Sequence, residues 1–120
     1  MPYKIPNLAA FKRACAEFLN LREKLSVRSR KHRVKFFPDA EGVYYYRENR
    51  GHLVEVLQNA SNVKTIIAHE CVHAWQQENG MGLAKKAHGL RFQEKAAELR
   101  AYLVAKGYAI GPIFREGADL

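Results

Sequence analysis

His69-Glu70-Cys71-Val72-His73 joins residue types and spacing that together specify a chemistry. On a helix, residues four apart share a face, one turn up. Two imidazoles so placed suit one Zn²⁺ at about 2.0–2.1 Å. Glu70 follows the first ligand and projects toward the same ion, where it is placed to take a proton from water. Ile67, Cys71 and Ala74 fall on the opposite side of that helix and would bury it. A catalytic zinc needs a third protein ligand and one open position. His88 sits after a loop, at the expected start of the next helix, and folding that helix back would bring it to the pair. His52 opens an expected strand and could also approach. Glu94 and Glu98 are rival ligands on the later helix, each better explained as a solvated partner of Lys95 or Arg91. His32 lies inside a basic run and is explained by it.

The elements that must position these residues can be read from periodicity. Leu8, Phe11, Cys15, Phe18 and Leu25 recur at three, four and seven, which predicts an amphipathic helix over residues 8–25 with Asn7 as its N-cap. Three short antiparallel strands are expected next, at residues 33–37, 42–47 and 52–57, with Asn49-Arg50-Gly51 as a turn. Ser61 is expected to cap a second helix that carries the histidine pair and stops at Asn79-Gly80. Residues 81–87 read as a loop. A third helix follows over residues 88–107, with Phe92, Ala96, Leu99 and Leu103 as its apolar stripe. Ile110, Ile113 and Phe114 then pack back on the domain.

The chain has 120 residues, 48% of them hydrophobic, and a formal net charge of +8. This is the size and apolar content of one domain with its own core, not of a disordered basic tail. No apolar run approaches the roughly 18–20 residues of a membrane span. The first ten residues lack the apolar stretch of a signal peptide, so an intracellular, cytoplasmic protein is expected. Cys15 and Cys71 both fall in helical patterns and read as small buried hydrophobes, not as metal ligands or a disulfide framework.

The charge is uneven. Residues 22–35 hold seven basic side chains and one acid. Arg28, Arg30, Lys31, Arg33 and Lys35 form the part expected to contact nucleic acid, since such a cluster attracts polyanions by counterion release. The competing reading is a solvated loop that keeps the protein soluble.

His69-Glu70-Cys71-Val72-His73-Ala74-Trp75, followed after 14 residues beyond His73 by His88-Gly89-Leu90-Arg91-Phe92, resembles the SprT-like metalloprotease domain, the class that includes Spartan. Thr65-Ile66-Ile67-Ala68 is similar to that family's aliphatic lead-in. The likeness covers roughly residues 52–105. It implies an α+β, zincin-like single domain: an N-terminal helix, a three-stranded antiparallel sheet, an active-site helix and a further C-terminal helix. It further implies His69, His73 and His88 as zinc ligands and Glu70 as general base. An extended substrate peptide would bind a strand edge beside the active helix, here residues 52–57. Several members act on DNA-bound proteins, so DNA is an implied partner beside the protein or peptide substrate. The cysteine-based zinc ribbon of some members has no counterpart after Cys71.

The expected activity is thus zinc-dependent peptide hydrolysis with Glu70 as general base. Tyr44, Tyr45 or Tyr46 offers an extra oxyanion donor, against the plainer reading of strand packing. The alternative function is a nucleic-acid-binding protein whose zinc is structural or vestigial, with Trp75 stacking on bases unless it is buried core.

Overall fold

The structure, a computed structural model, describes residues 7–33, 35, 40–81 and 88–114. Helix α1 spans Leu8–Leu19, strand β1 Leu25–Arg30, β2 Gly42–Arg47, β3 Gly51–Leu57, α2 Val63–Glu78 and α3 Leu90–Ala105. The strands form one mixed sheet in the order β1-β3-β2. β2 and β3 are an antiparallel hairpin, with Tyr44 opposite Val54. β1 runs parallel to β3, with Val27 opposite Val54. The result is a small α+β domain whose helices pack on one face of the sheet.

The all-antiparallel sheet expected from the sequence is therefore corrected. Its first strand is not at residues 33–37: Arg33 and Lys35 lie outside any strand, and positions 34, 36 and 37 lie outside the described residues. The first strand instead occupies residues that the helical stripe and the basic run had claimed. α1 ends at Leu19 because Asn20 turns left-handed, with φ 57°, and its N–H closes back on Ala16 and Glu17. Leu25 then opens β1 and is buried there, with Val27 two residues on packing against the same core.

The turn at Asn49-Arg50-Gly51 forms as expected, with positive φ at Asn49 and Gly51. Gly51 is required for a second reason. A Cβ there would collide with the Lys24 carbonyl, which accepts a hydrogen bond from the His52 N–H at 2.8 Å. This close approach aligns β1 on β3.

Along β3 the alternation puts His52, Val54 and Val56 toward the helices and Leu53, Glu55 and Leu57 toward the opposite face. The core joins Val54 and Val56 to Phe11, Cys15 and Leu19 of α1, to Ile67, Cys71 and Val72 of α2, and to Phe92, Leu99 and Leu103 of α3. α2 lies between the sheet and the other two helices, and every residue from Ile67 to Gln76 is buried. Such a helix is covered on all sides, so its polar residues must be accounted for one by one. Its N-cap is Asn62, not Ser61, and it stops at Asn79-Gly80 as the sequence indicates. Ile110 and Ile113 are buried and close the far end of the core. Among the described residues no helix is long and apolar enough to cross a membrane.

Candidate metal centre

His69 and His73 lie one turn apart on α2, and the turn before α3 brings His88 to them. The Nε2 atom of His88 is 3.0 Å from Nε2 of His69 and 3.1 Å from Nε2 of His73. The second nitrogens are held elsewhere. Nδ1–H of His69 donates to the Ile113 carbonyl at 2.9 Å, and Nδ1–H of His73 donates to Gln76 Oε1 at 2.7 Å. These partners fix the tautomer and leave Nε2 of both rings as a lone-pair donor. One proton on His88 Nε2 can serve only one of the two rings at a time. A cation serves all three. Tetrahedral zinc with nitrogen ligands at 2.0–2.1 Å needs N···N edges of roughly 3.3–3.4 Å, and the two edges at His88 are within a few tenths of an ångström of that. The all-imidazole donor set and its outer hydrogen bonds fit a divalent metal ion of the expected kind.

Phe92 forms the floor. Its ring centroid lies 4.9, 4.7 and 4.9 Å from those of His69, His73 and His88. Phe92 is four residues beyond His88, so the start of α3 delivers a ligand and its apolar support together. His69 and His73 are 5% and 7% exposed, which keeps bulk water from the rings.

Glu70 is also buried, at 8% exposure. It faces the start of β2. A Cβ placed on Gly42 would sit 3.3 Å from both Cγ and Oε2 of Glu70 and would clash with Ile66 Cγ2. Glycine at position 42 is what lets the strand lie against this carboxylate. Order in the sheet matters too. β3 is paired on both sides, so residues 52–57 cannot accept a further strand, and the substrate strand expected there is corrected. β2 is the edge strand on the α2 side, and among the described residues nothing pairs with its outer edge.

The remaining sequence candidates separate from the site. His52 is fully buried in β3 but joins a different network: its Nε2 is 2.7 Å from Glu78 Oε2 and its Nδ1 2.8 Å from the Tyr44 hydroxyl. Burial raises the Tyr44 pKa, so that hydroxyl stays protonated, and it is engaged by His52. Tyr46 donates to Glu23 at 3.0 Å, and Tyr45 is exposed. Glu98 pairs with Lys95 at 3.1 Å, and Glu94 is exposed. Cys71 and Cys15 are buried and free. The Cys71 thiol is pushed up by its hydrogen bond to Cys15 and by burial, so it stays a thiol in the core. Trp75 is buried, with Lys95 Nζ 4.9 Å over its ring.

The basic run is partly neutralised. Arg28 Nε and Arg30 Nη1 bind the two oxygens of Glu55 at 2.9 and 2.8 Å. Lys31, His32, Arg33 and Lys35 are exposed.

Sequence reasoning missed Gln76, the Ile113 carbonyl, Gly42 and the Tyr44–His52–Glu78 chain. Only Gln76 carried a local signal: it follows His73 by three residues on one helix and so shares its face. No family model matches the chain, and no curated protein or solved structure matches it.

Proposed function

We propose that the chain is a zinc-dependent endopeptidase of the SprT-like, zincin-like class. The observation behind this reading is the convergence of three imidazole Nε2 atoms, two of them fixed by outer hydrogen bonds, beside a buried glutamate at a strand edge that no described residue pairs. Zinc bound there supplies Lewis acidity, which lowers the pKa of water and polarises a carbonyl. The residues of the chain do the rest. The outer edge of β2 receives an extended peptide by backbone hydrogen bonds and lays it past Gly42. Glu70 takes the proton of the attacking water and returns it to the leaving amine. Gln76 and Ile113 hold the histidine rings in register. Exposed Lys31, Arg33 and Lys35 favour substrates that are themselves bound to DNA.

The alternative, a nucleic-acid-binding protein with structural zinc, draws on the same three cations. The burial of Trp75 removes its stacking residue. The deciding experiment compares wild type with Glu70→Gln, measuring bound zinc and cleavage of casein with and without single- and double-stranded DNA. The expected outcome is one zinc per chain in both proteins and cleavage by wild type only. Absence of zinc from wild type, or full cleavage by the variant, overturns the proposal.

A further inference from the structure

A second site lies away from the histidines, where the turn between β2 and β3 closes over the start of β1. The cleft there has a volume of about 600 Å³ and is lined by Glu23, Lys24, Ser26, Arg47, Asn49 and Arg50, among others. Its decisive feature is Arg47. The Nε–H of this guanidinium is buried, and no acceptor among the described residues reaches it. A buried charged donor without an acceptor is costly, and native structures rarely leave one so. Arg47 pairs with Gly51 across the hairpin, and Gly51 lies directly against the Lys24 backbone. That contact gathers Lys24, Arg47 and Arg50 around one cleft. None of the three is in an ion pair with a described residue, in contrast to Arg28 and Arg30, which share Glu55. Ser26 and Asn49 add neutral donors. Glu23, whose carboxylate accepts the Tyr46 hydroxyl, opposes the three cations with one negative charge.

We propose that this cleft is a phosphate-binding site in which Arg47 holds the anion through its fork and Lys24 and Arg50 balance its charge. The guanidinium fork matches two oxygens of a phosphate, and the excess of two positive charges suits a dianion or a phosphodiester backbone better than a lone carboxylate. The inference is independent of the metal centre and of peptidase activity.

Two probes distinguish the sources of phosphate: inorganic phosphate, and a fluorescein-labelled dT12 oligonucleotide. Side-chain ¹H–¹⁵N spectra should show saturable movement of the Arg47 Nε–H signal with at least one of them. Oligonucleotide binding much tighter than phosphate identifies a nucleic-acid backbone; equal affinity identifies free phosphate. Arg47→Gln should weaken binding about tenfold. Lys24→Gln/Arg50→Gln alters exposed residues only, and keeps the test valid if Arg47→Gln does not fold. For the oligonucleotide, that double variant should reduce the slope of log affinity against log salt by roughly 1.4, at about 0.7 for each cation withdrawn from a phosphate. Glu23→Gln should tighten binding several-fold. The proposal fails if neither probe moves the Arg47 signal. It also fails if the Lys24/Arg50 variant binds as wild type while Lys31→Gln/Lys35→Gln abolishes binding.

Discussion

His52 Nε2 lies 2.7 Å from Glu78 Oε2, with the two side chains 0% and 3% exposed. The pair bolts the central strand to the last turn of α2. The same carboxylate accepts the backbone N–H groups of Arg22 and Glu23, at 2.8 and 2.9 Å, and so also ties down the connection from α1 to β1. Burial works to raise the Glu78 pKa, but the hydrogen bonds from His52 and from the two backbone amides outweigh it and hold the pKa below the usual carboxylate value.

A depressed folded pKa sets the sign of the pH effect. Its stabilisation is fully present above the unfolded carboxylate pKa of about 4.3 and is lost as pH falls through the lower folded value. Glu78→Gln, which removes this charge, should cost about 2 kcal/mol at neutral pH. Urea unfolding of both proteins across pH checks this. The difference between them should shrink in acid; a constant difference would count against the assignment.

His88→Ala should lower zinc affinity at least a hundredfold, whereas Glu98→Ala should leave it unchanged. Competition with a chelating dye measures both. The contrast follows from the position of Nε2 of His88 within 3.1 Å of both other ring nitrogens, while Glu98 pairs with Lys95.

Gln76→Leu should weaken zinc binding by about 10–100-fold without removing a ligand. The leucine keeps the volume but cannot accept from His73 Nδ1, so the ring loses its fixed tautomer. Gln76→Glu, which keeps an acceptor, should restore most of the affinity.

Gly42→Ala should destabilise the fold by about 1–3 kcal/mol, since the new methyl meets Ile66 and Glu70 in a packed contact. Adding Ile66→Ala removes the harder of the two clashes. The double variant should recover space at the strand and lose less stability than the sum of the single changes, which thermal melts will show.

The parts legible in the sequence were those with local causes. Helical spacing placed His69, Glu70 and His73 on α2, and Phe92, Ala96, Leu99 and Leu103 on the buried face of α3. Turn chemistry placed Asn49-Arg50-Gly51. The errors were tertiary. Leu25 continues the stripe of α1 at seven residues from Phe18, and only the left-handed Asn20 releases it into β1. Arg28 and Arg30 look like part of a free basic run until β1 is set beside β3, which delivers Glu55 to both. The ring partner of His69 was invisible for a similar reason: a backbone carbonyl 44 residues away leaves no mark in side-chain patterns.

That hydrogen bond to Ile113 carries a consequence for the order of synthesis. α1, the sheet and α2 are all translated before residue 88 supplies a ring and residue 113 an acceptor. A growing chain therefore holds two histidines and Glu70 on a finished helix with the first ring not yet oriented. The centre becomes complete only after residue 113 has left the ribosome, so a partly made chain carries the histidine pair before its third ring and its outer hydrogen bond are in place.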